Sequence, residues 1–93
     1  MIPPAAKASH AETVAIEALG FLAAADALGR FMNVSGADLD TIRARADDPE
    51  FLAAVMDFLL GDDALVTDFC AQENLDPQSL HRLRRALPGA APA

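Results

Sequence analysis

The chain has 93 residues and a mass of 9.8 kDa, which is enough for one domain. Apolar residues make up 53 % of it, and this content predicts a packed core and excludes an intrinsically disordered chain. Only 7 basic side chains stand against 14 acidic ones, so the net charge is −7. This charge disfavours a protein whose affinity comes from clustered Lys and Arg on phosphates.

The single cysteine and the start of the chain indicate the compartment. Cys70 has no partner for an internal disulfide, and the sequence has no CxxC or Cys/His motif for a structural zinc. The first residues lack the apolar segment of a secretory signal. Asp26 and Asp57 interrupt the apolar stretches well before the roughly 18 to 20 residues that span a bilayer. We therefore expect a cytoplasmic protein without membrane contact.

The first half of the chain predicts three helices, each opened by a capping residue. A capping box at 9–12, Ser-His-Ala-Glu, begins the first helix. Asp26 begins the second, and Gly36 ends it in a left-handed turn. Asp38 caps the third, whose inward face is predicted to include Leu39 and Ile42.

The second half predicts three more helices, which begin and end at the same kinds of capping residue. Asp48-Pro49 opens the fourth helix, because Asp is a good cap and proline is preorganised for the first helical position. A break at Gly61 or Asp62 precedes a fifth helix over 63–73, which Asn74 ends in a left-handed conformation. Asp76-Pro77 opens the sixth helix.

The chain contains an internal repeat, over about 12–46 and 49–87. Each segment has Phe-Leu followed by Asp-Ala-Leu, then a Phe, a Gly or Asn cap, an Asp cap and an apolar residue. Residues 1–8 are predicted to be a flexible lead-in, 9–87 a single helical domain and 88–93 a flexible tail.

These features together predict the fold class. We expect an all-α protein, a compact bundle of five or six short helices arranged as two pseudo-symmetric three-helix units. The predicted core consists of large apolar residues on the inward faces: Phe21, Leu22, Leu28, Phe31, Ile42, Phe51, Val55, Phe58, Leu65, Phe69 and Leu80.

The sequence offers no motif for catalysis, a metal or a cofactor. His10, His81 and Cys70 are far apart along the chain and match no metal or nucleophile motif, and no glycine-rich phosphate loop is present. The carboxylate pairs fall at helix starts, where they favour the positive end of the helix dipole. We expect Cys70 to be a small buried apolar residue, and we expect no enzyme, no metal and no cofactor.

The last helix is the one basic element, with His81, Arg82, Arg84 and Arg85 following an acidic stretch over 47–76 that contains no Lys or Arg. These side chains are the candidate partner contacts. A simpler interpretation is that they complement the helix dipole, with Arg84 or Arg85 pairing with acidic neighbours. The sharper alternative is a helix-turn-helix whose recognition helix spans 76–87.

The chain from Ala11 to Gly89 resembles a bacterial family of short proteins, domain-of-unknown-function family 3572. The most specific segments are GRFMNVSGADLDTIRARADDPEFLAAVMDFLL and ENLDPQSLHRLRRALPG. The resemblance implies one helical domain and supplies no catalytic residue, cofactor or partner.

Three classes of function follow from these observations. We favour a small non-catalytic protein-interaction module or adaptor, which predicts an exposed apolar patch. Self-association through the apolar first or fourth helix is one form of it. The alternative is a helix-turn-helix-like nucleic-acid-binding regulator, although the acidic charge makes nucleic acid an unfavourable partner. An enzyme or ligand carrier is third and predicts a pocket of at least about 300 Å³.

Overall fold

The structure is a computed structural model that describes residues 4–88, with side chains from residue 10 onward. The described residues form six α-helices and no strand. In chain order they are α1 (Pro4–Ala24), α2 (Leu28–Ser35), α3 (Leu39–Arg45), α4 (Pro49–Leu60), α5 (Asp63–Glu73) and α6 (Pro77–Arg85). The predicted all-α class and the number of helices are therefore confirmed.

The start of α1 differs from the prediction. The helix begins at Pro4, so Ser9 lies inside it and the predicted capping box over 9–12 is wrong. Proline is tolerated in the first helical turn because the amide it lacks would have no partner there. Ala5, Ala6 and Lys7 then continue the helix, since all three have high helix propensity. Of the predicted lead-in over 1–8, residues 1–3 lie outside the described residues, as do 89–93 of the predicted tail.

The turn between α1 and α2 also differs from the prediction. Asp26 does not cap α2; it has a left-handed backbone, with φ 61°, at the end of α1. The amide of Ala27 donates to the carbonyl of Leu22 at 2.8 Å, and the amide of Asp26 donates to the carbonyl of Ala23 at 3.3 Å. This pair of bonds is a Schellman motif, so Asp26 ends a helix instead of starting one.

The remaining caps are confirmed. The Asp38 carboxylate accepts the Thr41 amide at 2.8 Å, and Asp48 and Asp76 accept amides at the starts of α4 and α6. Asn74 has the predicted left-handed backbone at the end of α5, with φ 56°. Gly36 has φ 75° and its amide donates to a carbonyl of α2. Each short helix therefore has a local signal at its boundary.

Helix α4 is the centre of the bundle and contacts α1, α2, α5 and α6. Its buried residues are Phe51, Leu52, Ala53, Val55, Met56 and Leu59. This enclosure removes α4 as the predicted self-association surface, because its apolar face is already covered by neighbouring helices. Helix α1 packs on α4 and α6, and it leaves one large apolar side chain, Ile16, exposed.

Most of the predicted core is buried, with two exceptions. Leu28 and Phe58 pack against the core but are only partly buried. Leu39 was expected to face inward and is instead 49 % exposed, since α3 buries only Ile42. Edge-to-face aromatic contacts connect α2 and α4. The ring centroid of Phe31 lies 5.8 Å from that of Phe51 and 5.5 Å from that of Phe58.

The two predicted three-helix units do not pack alike. Helix α6 packs on α1, α4 and α5, whereas α3 has no contact of comparable extent with any helix. The order of long and short helices repeats along the chain, but the packing around the two units is unequal. No helix within residues 4–88 has both the length and the apolar character required to cross a membrane.

Candidate basic groove on helix α6

The basic side chains of α6 separate into two groups. Asp76 caps the helix, Pro77 occupies its first turn, and Leu80 points into the core. Three of the basic side chains, His81, Arg82 and Arg85, are exposed to solvent. The side chain of Arg84 is only 13 % exposed. The four candidate contact residues therefore do not form one surface.

Arg84 is a structural residue. Its Nε donates to Asp57 Oδ1 at 2.6 Å and its Nη2 donates to Asp57 Oδ2 at 3.1 Å, which ties α6 to α4. Its Nη1 donates to the carbonyl of Pro88 at 3.1 Å and to that of Leu87 at 3.4 Å. The expected pairing of this helix with acidic neighbours is thus realised at Arg84.

A groove of about 480 Å³ runs along α6 on its exposed side and is open to solvent. We call it the α6 groove, and its lining residues come from α1, from the α5–α6 turn and from α6: His10, Leu75, Ser79, Arg82, Leu83, Arg85 and Ala86. Leu75, Leu83 and Ala86 are partly buried and pack against the core, so they form an apolar floor. The arginines and His10 are exposed and form a basic rim.

A second depression, of about 260 Å³, adjoins the α6 groove and is lined by Gln78, His81, Arg82 and Arg85. Arg82 and Arg85 line both depressions. A ligand in either depression therefore lies next to both arginines.

The arginines of the described chain differ in their pairing with acids. Four pair with an aspartate: Arg30 with Asp62, Arg43 with Asp40, Arg45 with Asp48 and Arg84 with Asp57. Within residues 10–88, Arg82 and Arg85 have no carboxylate partner, and the sole hydrogen bond of Arg82 is to Ser79 Oγ at 3.4 Å. In a chain with twice as many acids as bases, the two unpaired arginines share one groove.

A pair of carboxylates lies where α1 meets the end of α5. Hydrogen bonding to Glu73 and then its negative charge raise the pKa of Glu17 above the ordinary value of 4.5. His10 opposes this shift with its positive charge. The negative charge of Glu73 thus disfavours the ionised form of Glu17.

The candidate nucleophile and metal ligands are dispersed. Cys70 is buried, as expected, and burial followed by the nearby Asp76 charge raises the pKa of its thiol. A raised thiol pKa lowers the thiolate fraction, which is the reactive form. His81 is exposed on α6. The described residues contain no group of three or more His, Cys, Asp or Glu side chains arranged to hold a metal ion.

The groove itself was not predicted from the sequence. Helix α6 was expected to contribute basic contacts, but Leu75, Ser79, Ala86 and His10 were not assigned to a site. The available signal is the short side chains Ser79 and Ala86, which are seven residues apart and leave room beside Arg82 and Leu83.

Comparison with known proteins places this helical bundle in a family. The chain belongs to the family described as "Protein of unknown function (DUF3572)", whose model matches residues 8–90. No curated protein and no solved structure matches the chain.

Proposed function

We propose that this protein is a small, non-catalytic interaction module of the bacterial cytoplasm that contacts a partner protein through the α6 groove. The observation that carries the proposal is the placement of two arginines without carboxylate partners, Arg82 and Arg85, above an apolar floor in an acidic chain. Arginines above a partly buried apolar surface are typical of interaction sites. Arg is enriched in such sites, and the apolar floor loses its contact with water when a partner binds.

The other exposed apolar residues support this assignment less well. Ile16, Val34 and Leu39 are the large apolar side chains exposed within residues 10–88, and they come from three different helices. Single exposed apolar residues are normal on a soluble protein. The α6 groove instead combines apolar area with charged groups that can set the orientation of a partner.

Absence of catalysis is part of the proposal. It is supported by the burial of Cys70 and by its raised thiol pKa, which leave its sulfur a poor nucleophile. The reducing cytoplasm suits a lone thiol that has no disulfide partner in the chain.

The alternative function is a helix-turn-helix nucleic-acid-binding regulator that uses α6 as its recognition helix. Its support is the short connection of Asn74, Leu75 and Asp76 between α5 and α6, with His81, Arg82 and Arg85 facing outward. Against it stands the engagement of Arg84 with Asp57, which leaves few cations for phosphates. We therefore rank it second.

The test is capture of partners from a native lysate by the tagged chain, with and without nuclease. The variant R82E/R85E reverses the charge of the two rim arginines, and R43E is the matched control because it reverses an exposed arginine on α3. The proposal expects a stoichiometric protein that survives nuclease, that R43E retains, and whose recovery falls roughly tenfold with R82E/R85E. Loss of capture on nuclease treatment would favour the nucleic-acid alternative, and retention by R82E/R85E would exclude the groove.

A further inference from the structure

We propose that the occupant of the α6 groove is an acidic amphipathic helix of the partner protein, lying along α6 with its apolar side chains on the floor and its carboxylates on Arg82 and Arg85. This inference rests on the proposed function and specifies the chemistry of the partner. Three features of the groove support it. Its lining residues follow one face of α6, its floor has short side chains, and its two arginines have no carboxylate partner among residues 10–88.

The lining follows one face of α6. Ser79, Arg82, Leu83 and Ala86 are spaced at i, i+3, i+4 and i+7, which places them in one stripe along the helix. Seven residues at about 1.5 Å each extend this stripe over roughly 10 Å, or two turns. A straight stripe of this kind is matched by another helix, which presents apolar residues at the same spacing.

The floor allows a helix to approach closely. Ser79 and Ala86 have short side chains, and between them Leu83 is partly buried against the core. Helix axes pack about 8 to 10 Å apart, and the closer distances need small side chains at the contact. Leu75 extends the apolar surface beyond the start of α6, so an occupant of two to three turns covers the whole floor.

The charge of the groove selects an acidic occupant. Arg82 and Arg85 are three residues apart on the same helix, and like charges at this spacing repel each other. Partner carboxylates relieve that repulsion and bind each guanidinium in a bidentate geometry. His10 of α1 also lines the groove and adds a further donor.

A nucleic acid fits these features less well. Its phosphate backbone has no apolar side chains to cover Leu75, Leu83 and Ala86, and its binding energy comes from several cations acting together. A peptide with both carboxylates and apolar groups uses the rim and the floor at once.

The experiment measures binding of a fluorescent model peptide to the full chain by anisotropy. The peptide has about 14 residues, with Leu at helical spacing and Glu elsewhere, enough for about four turns. Two control peptides replace every Glu by Gln or every Leu by Ser. We expect the Glu/Leu peptide to bind and both controls to bind at least about tenfold more weakly.

Protein variants test whether the peptide binds in the α6 groove. R82Q and R85Q each remove one charge from the rim, and R43Q removes one from α3 as the matched control. We expect each rim variant to weaken peptide binding by roughly threefold to tenfold, with R43Q within about twofold of the unmodified chain. Added salt should weaken binding to the unmodified chain more than to the R82Q/R85Q double variant. Because all three arginines are exposed, the variants are expected to keep the helical circular dichroism of the parent.

The outcomes separate this inference from the proposed function. If the lysate partner depends on Arg82 and Arg85 but the Glu/Leu peptide does not bind, the groove remains the contact surface and the acidic helix is wrong. Equal binding of the Gln/Leu peptide also overturns the inference, because it removes the role of charge. Arginine-dependent self-association in sedimentation would replace the acidic helix by a second copy of this chain.

Discussion

Arg84 binds Asp57 through two parallel hydrogen bonds and thereby joins the end of α6 to the last turn of α4. The Arg84 side chain is 13 % exposed and the Asp57 side chain 60 %, so the pair lies at the margin of the core. Bidentate geometry makes it stronger than an ordinary surface ion pair. The same guanidinium also donates to the carbonyls of Leu87 and Pro88, which follow α6.

We expect Arg84→Ala to lower the free energy of unfolding by about 1 to 2 kcal/mol, since it removes a charged fork and two carbonyl bonds. Arg84→Lys should recover less than half of this loss, because an ammonium cannot reproduce the fork. Urea unfolding followed by circular dichroism measures both. Arg43→Ala is the control: its contact with Asp40 is 3.9 Å long and highly exposed, so the cost should stay below about 0.5 kcal/mol. Equal losses for Arg84 and Arg43 would contradict the structural role of Arg84.

Two glycines should respond in opposite directions to substitution by alanine. Gly20 lies inside α1 and a Cβ there meets no atom within 4 Å, so Gly20→Ala should stabilise the protein by about 0.5 to 1 kcal/mol. A Cβ at Gly36 is also unobstructed, but φ is 75° there, and Gly36→Ala should destabilise by about 1 to 2 kcal/mol. Thermal unfolding of both variants checks the pair. Destabilisation by Gly20→Ala would show that α1 is not a regular helix at that position.

The carboxylate pair of Glu17 and Glu73 predicts a pH-dependent effect. Because the folded pKa of Glu17 is raised above 4.5, its contribution to stability is full below that value and is lost as the pH rises through the folded pKa. Glu17→Gln removes the repulsion, so it should raise the Tm at pH 7 and have a smaller effect at about pH 4. Thermal scans across this range measure the difference. Glu12→Gln, on the same helix, controls for the loss of one negative charge, and an equal rise in Tm for both variants would refute the pairing.

The capping aspartates make the free energy of unfolding depend on pH in the opposite direction to Glu17. Hydrogen bonds to the Thr41 and Leu65 amides are the main causes that lower the pKa of Asp38 and of Asp62. Their contribution is present above the unfolded value of 3.8 and is lost as the pH falls through the folded pKa. The Glu17 measurement is therefore made as a difference between variants at each pH, which cancels the shared effect of the caps.

Phe31 joins α2 to α4 and should be among the most sensitive core positions. It is 1 % exposed and its ring meets the edges of Phe51 and Phe58. Phe31→Ala should cost about 3 to 5 kcal/mol through lost burial and a cavity. Val34→Ala is the control on the same helix, because Val34 is 77 % exposed and should change stability by less than about 0.5 kcal/mol. Denaturant unfolding measures both, and a cost below about 1 kcal/mol for Phe31→Ala would contradict its core position.

The helix boundaries that were predicted correctly are those determined by hydrogen bonds and backbone conformation within a few residues of the boundary. Asp38, Asp48 and Asp76 each cap a helix because an aspartate, with or without a following proline, satisfies amides within the next few residues. Asn74 and Gly36 end helices because they adopt left-handed backbone at low cost. None of these outcomes depends on distant parts of the chain.

The errors have tertiary causes or arise from ambiguous residues. Aspartate suits both a helix start and a left-handed helix end, and no residue near Asp26 distinguishes these two roles. Leu39 has the right spacing for a buried face, but α3 packs too little to cover it.

The candidate site was predictable only in part. The basic residues of α6 stand out in an acidic chain, so His81, Arg82 and Arg85 were identified from charge alone. The separation of Arg84 from them depends on Asp57, which is 27 residues away in sequence. His10 reaches the groove because α1 packs beside α6, and no local sequence pattern predicts that arrangement.

The packing of α1 has a consequence for synthesis. The first helix buries Val14, Ala18 and Leu22 against partners that the ribosome makes later, because its main contacts are with α4 and α6. Until α6 has left the exit tunnel, that apolar face lacks part of its cover. The bundle therefore completes its core only after α6 has been synthesised, and a nascent chain stalled before α6 would leave part of the apolar face of α1 exposed.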